Sequence, residues 1–286
     1  MRPAHLLLCT LLAFSCQSCT QRPNPGSFGA ALATQLSGGS DEAARRYASS
    51  DWRLVWSEEF DQGTAPSASI WSHEEGHLRN RELQYYTKGR LENVKVADGV
   101  LQIKALREAY SGAHYTSASL HTRGKKEFLY GKLEVRAKIP TGRGAWPAIW
   151  TLGSIKEKWP RNGEIDLMEN VGWDPEKLHF TVHTAEYNHA RGNHKSRAIH
   201  IAKPWEEFHT YGLIWTPDKI ELFYDGQKVL EYLNEKRGPD QWPFDHPQYL
   251  LLNIAVGGAW GGRNGVDDAI FPLEMQVDYV RYWQSP

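Results

Sequence analysis

The 286 residues carry 33 Lys and Arg against 34 Asp and Glu, a net charge of −1 with histidine neutral. So even a balance projects no field of either sign, which argues against nucleic acid or an anionic membrane as partner and leaves a neutral one. Twelve Trp and 13 Tyr exceed what a core of this length needs, and every Trp lies between Trp52 and Trp283, so some are expected to face a ligand.

The chain opens on Arg2, an apolar run over residues 6–14 and then Ser15-Cys16. This is the layout of a signal peptide over residues 1–16. The run is shorter than the ~20 apolar residues of a spanning helix, and no later run reaches that length, so no transmembrane helix is expected. Cys9, Cys16 and Cys19 are the three cysteines, all in or beside this leader; the folded part therefore has neither disulfides nor a thiolate metal site. An apolar run closed by a small residue and Cys also resembles a lipoprotein signal, with a lipid anchor on Cys16 or Cys19 as the alternative to simple secretion. The expected location is secreted, surface or periplasmic. Residues 17–50 are rich in Gln, Ser, Pro, Gly and Ala and read as a flexible tether, with weak helical character over 41–48.

Residues 51–286 are the length of one domain, and strand signals dominate them. Runs at 52–56 and 99–105 lead into Gly131-Lys132-Leu133-Glu134-Val135-Arg136-Ala137-Lys138-Ile139, where apolar and charged residues alternate as in a strand with one wet face. Further runs follow at 178–184, 249–256 and 276–283. Residues 219–224 and 227–230, joined by Asp225-Gly226, read as a two-residue hairpin. There is no repeat of fixed period and no long amphipathic helix. The expected fold class is all-β, two antiparallel sheets packed face to face.

Between the turn-like Pro160-Arg161-Asn162-Gly163 and Asn170-Val171-Gly172 lies Glu164-Ile165-Asp166-Leu167-Met168-Glu169, apolar apart from three acids. On a regular strand Glu164 and Asp166 share a face and Glu169 points the other way, burying a carboxylate at a cost of several kcal/mol. A β-bulge around Leu167-Met168 restores the parity and puts all three acids on one face. The two Glu backbones are then about 13 Å apart at ~3.3 Å per residue, and inward-leaning side chains approach the ~5–5.5 Å carboxyl separation of retaining glycosidases. Crowded acids cannot all ionise, which fits one Glu as nucleophile, the other as proton donor, and Asp166 as their helper. Spacing alone leaves an exposed acidic strand or a calcium ligand set as alternatives.

These residues resemble the bulged signature of glycoside hydrolase family 16, in its laminarinase-type branch. The resemblance runs through Leu54-Val55-Trp56-Ser57-Glu58-Glu59-Phe60-Asp61, Glu82-Leu83-Gln84-Tyr85-Tyr86, Tyr130-Gly131-Lys132-Leu133-Glu134, Gly144-Ala145-Trp146-Pro147-Ala148-Ile149-Trp150, Leu252-Asn253-Ile254-Ala255-Val256-Gly257-Gly258 and Asp278-Tyr279-Val280-Arg281. It implies a jelly-roll β-sandwich with a cleft on its concave face, and retaining endo-hydrolysis of β-1,3 or mixed β-1,3/1,4 glucan by a monomer. It makes Glu164 the nucleophile, Glu169 the general acid/base and Asp166 their helper, with no cofactor needed for the chemistry.

The same resemblance sets Trp146 and Trp159 against sugar rings and His183 in the cleft near the acid/base. It implies a structural calcium on the convex face, held by Glu59 and Gly99, mainly through main-chain oxygens, and by Asp278. Trp150 reads as core, and Trp260 as cleft because glycines surround it. Asn80 and Arg123 are candidate hydroxyl donors. His179 and His183 lie four apart, a metal spacing on a helix, but about 13 Å apart on a strand, so His179 reads as structural. Arg81 and Arg161 add positive charge near the expected cleft, leaving a sulfated galactan as an alternative substrate; a non-catalytic glucan-binding protein or a transglycosylase are further alternatives.

Overall fold

The structure is a computed structural model and describes residues 40–285. The signal-peptide and lipid-anchor readings at Cys16 and Cys19 therefore lie outside the described residues, as does most of the tether.

Two sheets face each other. One has eight strands in the order Lys195–His200, Lys177–His183, Glu164–Asn170, Ala145–Gly153, Gln248–Val256, Ser119–His121 and Ser72–His73, with Glu127–Phe128 also paired to Gln248–Val256. The other has ten, with Gly131–Lys138 and Leu273–Gln284 at its middle. Strand pairs are antiparallel except Gln84–Tyr86 with Ala113–Ser117. The alternating sequence explains how each strand faces. Leu133, Val135 and Ala137 enter the core between the sheets, while Lys132, Glu134 and Arg136 point to the outer side, as the period of two requires. The hairpin forms as expected: Asp225 and Gly226 both take positive φ (46° and 75°) between Lys219–Tyr224 and Gln227–Leu233.

The main core is contributed by both inner faces: Ile149, Ile165, Leu178, Phe180, Val182, Leu250, Leu252 and Ile254 from one, Leu101, Ile103, Leu213, Leu222, Val277 and Val280 from the other. The outer face of the eight-stranded sheet keeps its own apolar groups, including Trp146, Ala148, Trp150, Val171, Tyr249 and Ala255. That face is the concave one and carries the cleft.

The last part of the stretch read as a tether, residues 17–50, is folded. Ser40–Tyr47 is a helix that docks on the outer side of the ten-stranded sheet, burying Ala43 and Tyr47 against Ile214 and Phe223. The Tyr47 hydroxyl donates to Glu134, and Lys132 Nζ donates to the Tyr47 carbonyl at 3.0 Å. Two buried apolar side chains four apart suffice to hold one helical turn pair that composition read as a linker. No helix of the described residues is long and apolar enough to cross a membrane.

Candidate active site

The acids stand on the strand Glu164–Asn170, and its neighbours show the bulge directly. Asp166 pairs with Thr181 and Glu169 with His179, so three steps on the acid strand match two on its partner. On the other side Trp150 pairs with Asp166 and Ile149 with Met168, skipping Leu167. Leu167 and Met168 are consecutive yet both fully buried in the core with Ile165. Glu164, Asp166 and Glu169 therefore all project outward and line a cleft cavity of about 350 Å³.

Each glutamate receives one indole N–H. Trp159 Nε1 donates to Glu164 Oε2 at 2.8 Å, and Trp146 Nε1 to Glu169 Oε1 at 3.0 Å. Burial raises the pKa of all three acids. In Glu164 the charge of Glu169 adds to burial, while Trp159, a hydrogen bond from Asp166 and the charge of Arg79 oppose it. Asp166 is held well above the usual carboxylate range by burial, by both glutamates and by donating its proton to Glu164. Glu169 is pushed up to about 7 by burial, with Glu82 adding to the rise and Trp146 opposing it. With Glu164 pushed up to about 8 and Glu169 to about 7, the three acids cannot all be ionised together near neutrality, and a protonated Asp166 bonded to Glu164 relieves part of the charge repulsion.

A family model described as Glycosyl hydrolases family 16 matches residues 81–281. The chain belongs to glycosyl hydrolases family 16. A beta-glucanase of Rhodothermus marinus is 47% identical over 246 residues, covering 82% of this chain and 85% of that protein. The solved laminarinase from the same organism has a TM-score of 0.80 at 46% identity, covering 82% of this chain and 97% of that one. A solved non-specific endo-beta-1,3(4)-glucanase gives 0.79 at 45% identity, covering 83% and 93%.

Within this family 16 cleft the remaining expected residues divide. Trp146 and Trp159 line it, as does Asn80. Trp260 stands edge-on to Trp146, ring centroids 5.5 Å apart. Arg123 lies outside the cavity lining, stacked over the Tyr249 ring at 5.5 Å. His183 is in the site but beside the other glutamate: antiparallel register sets it opposite Glu164, with Nε2 at 3.5 Å from Asp166 and 3.8 Å from Glu164. His179 is the residue opposite Glu169, packed edge-on against Trp260 at 4.8 Å. Burial, ahead of neighbouring charges, pushes His183 down to about 3 and His179 to about 4, so both rings are neutral.

Trp150, expected as core, is buried in a small apolar cluster with Ala148, Tyr249 and Leu251 and also forms part of the cleft floor. It shares a face with Trp146 four residues back, lines the cavity and donates to Asn253 Oδ1 at 2.8 Å. That parity was readable in the sequence; its large apolar ring argued the other way. Arg79 carries no motif signal, and Glu82, although it opens one of the runs that carry the resemblance, has no role assigned by the sequence. The Arg79 guanidinium lies 5.0 Å from the Trp150 ring centre and is bonded to Glu74. Glu82 is buried at the cavity edge, accepting from Gln84 Nε2 at 2.8 Å, Tyr86 OH at 3.1 Å and Asn80 Nδ2 at 3.2 Å. Asn80 thus orients a carboxylate. Arg161 pairs with Asp240 in a separate concavity of about 750 Å³ that holds none of the three acids, and Arg81 does not line the cleft.

The expected calcium ligands belong to the ten-stranded sheet, away from the acids, but their side chains are engaged. Arg281 binds both Glu59 carboxylate oxygens at 2.9 Å, and Arg136 takes the Asp278 carboxylate at 2.6 Å. Gly99 sits in the turn before Val100–Tyr110 at φ 74°. The carboxylates do not fit a calcium site as they stand, because a cation there would compete with two guanidinium groups.

Proposed function

We propose that this family 16 chain is a retaining endo-β-1,3-glucanase acting on laminarin-like or mixed β-1,3/1,4 glucans by double displacement. The observation that carries the reading is the bulge, which turns Glu164 and Glu169 to the same face of an aromatic cleft, each fixed by an indole donor. The names and similarity of the relatives support the choice of glucan.

Glu164 attacks the anomeric carbon while Glu169 protonates the departing glycosidic oxygen; a glycosyl ester forms on Glu164 and the leaving sugar departs as an alcohol. Glu169, now ionised, takes a proton from water as that water attacks the ester, freeing Glu164 and returning the proton to Glu169. The hydrogen bond from Asp166 holds Glu164 in place and weakens as charge leaves it. Trp150, Trp146 and Trp159 present apolar faces to pyranose rings. The chemistry needs no cofactor. In the cleft lining the guanidinium of Arg79 is already bonded to Glu74, which gives a sulfated substrate no support, and the three intact acids give none to a binding-only role.

Glu164→Gln is expected to lower laminarin turnover by about 10⁴-fold, and Glu169→Gln by about 10²–10⁴-fold, with near-native circular dichroism. Azide tests the roles: it should restore turnover to Glu164→Ala as an α-glycosyl azide and to Glu169→Ala as a β-glycosyl azide. The opposite pairing overturns the assignment, and near-native hydrolysis by either Gln variant overturns the mechanism. A structural calcium is the remaining part of the reading and rests on the main-chain oxygens of Glu59 and Gly99. A Tm lowered by EGTA and restored by calcium supports it; an unchanged Tm removes it.

A further inference from the structure

The outer faces of two neighbouring strands bring together groups of a second chemical kind. His183 Nε2 faces Asp166 Oδ2 at 3.5 Å and Glu164 Oε1 at 3.8 Å, and one ligand atom from each of the three residues lies within 4.8 Å of the other two. Zinc binds imidazole nitrogen at ~2.0–2.1 Å and carboxylate oxygen at ~2.0–2.2 Å, so two ligand atoms at a tetrahedral angle stand roughly 3.4 Å apart. The two separations to His183 Nε2, 3.5 and 3.8 Å, lie close to that value.

A second observation is independent of the spacing. Asp166 is 2% exposed, and its Oδ2 has no hydrogen-bond partner while it points at the imidazole. That buried oxygen lacks a donor although Asp166 is bonded to Glu164 through its proton, and a cation at the centre of the three groups would satisfy it while releasing that proton to solvent. His183 is itself 5% exposed, with Nδ1 also unpartnered, and the rings of His189 and His194 lie 5.2 and 5.5 Å from its own. One nitrogen and two oxygens, in a nitrogen-rich pocket, suit zinc or copper; calcium takes six to eight oxygens and magnesium prefers an oxygen octahedron.

We propose that Glu164, Asp166 and His183 form a binding site for a zinc-type divalent cation, and that occupation switches the enzyme off by sequestering the nucleophile. The inhibitory part rests on the reading of Glu164 as nucleophile; the binding part does not. The cation and the glucan compete, because the sugar's anomeric carbon and the metal need the same Glu164 oxygen.

The test uses the full chain, stripped with chelator and held in calcium-containing buffer, and titrated with zinc chloride in a calorimeter and with cobalt chloride in a visible spectrometer. One zinc per chain, tetrahedral cobalt bands, and competition between zinc and a laminari-oligosaccharide are expected. Glu164→Gln and His183→Ala should each weaken zinc binding by at least roughly 10-fold, the lower bound for disturbing even an outer partner of a metal site. Zinc should inhibit laminarin cleavage by the native chain reversibly, with EDTA restoring it. Absence of stoichiometric zinc binding by an active native enzyme overturns the proposal, as does binding that survives unchanged in both variants. Failure of the glucanase reading is distinguishable: metal-free enzyme would then leave laminarin intact while the titrations still report on the cation site.

Discussion

Trp159 and Trp146 do the same thing to two different carboxylates, and the acids differ in what else surrounds them. Glu164 has Asp166 as a donor and Arg79 as a distant cation, while Glu169 has the negative charge of Glu82. These contacts favour charge on Glu164 and a proton on Glu169, against burial and the charge of Glu169, which push Glu164 up to about 8. Glu82→Gln removes the charge that raises Glu169, so Glu169 should lose its proton at lower pH. Since the acid must be protonated to act, the basic limb of kcat/KM should move to lower pH while the acidic limb, set by ionisation of Glu164, stays. A full pH–rate profile checks this, and an unmoved basic limb would remove Glu82 from the machinery. At this scale the sequence was legible where spacing carried meaning: three acids whose parity works only with an extra residue. It was not legible for Glu82 and Arg79, whose relation to the site depends on the turn at Asn80 and Arg81, both at positive φ, folding against the distant Gly257. His183 pairs with Glu164 and not with the expected acid/base, because strand register is a pairing between two segments and neither shows it alone.

The acid strand is an element whose faces are set by counting. Three residues, Leu167 to Glu169, advance the chain as far as two on the partner strand, and both Leu167 and Met168 fill core space. Deleting Met168 leaves Glu-Ile-Asp-Leu-Glu, a regular strand with every acid still outward. The expected loss is the packing of one core side chain, about 2–5 kcal/mol by analogy with large-to-small truncation. Inserting Ala between Asp166 and Leu167 instead leaves two outcomes: with the bulge kept Glu169 turns inward, and with the bulge lost the acids face outward but Leu167 leaves the core and the two glutamate backbones lie about 20 Å apart rather than about 13 Å. Activity should vanish in the insertion variant and survive in part in the deletion variant, with urea unfolding as the stability readout. Equal activity in the two would show that the spacing set by the bulge does not pair the glutamates. The strands themselves were legible through alternation and turn residues, as at Gly131–Lys138 and Asp225-Gly226. Helix Ser40–Tyr47 was not, since only its docking on Ile214 and Phe223 makes eight residues stable, and isolated helices of that length are marginal.

Over the whole molecule the buried acids oppose stability. Folding raises their pKa values, so the folded state binds more protons than the unfolded one and these groups favour folding most below the unfolded range near ~4. That contribution is lost as pH rises towards the folded values, which for Glu169 is about 7. Glu169→Gln cannot ionise, so it should melt at least ~2 °C above the native chain at pH 7.5, with the gap closing near pH ~4. Calorimetry at both pH values decides it; a variant less stable at pH 7.5 would contradict the linkage. Stability and catalysis thus pull against each other at one residue, which is common at active sites. The docked helix has a different consequence, one of orientation. It enters the domain on the outer side of the ten-stranded sheet, and the acids open on the outer side of the eight-stranded one. An enzyme immobilised through a short linker just ahead of Ser40 would therefore present its working surface away from the support, where an insoluble polymer could reach it.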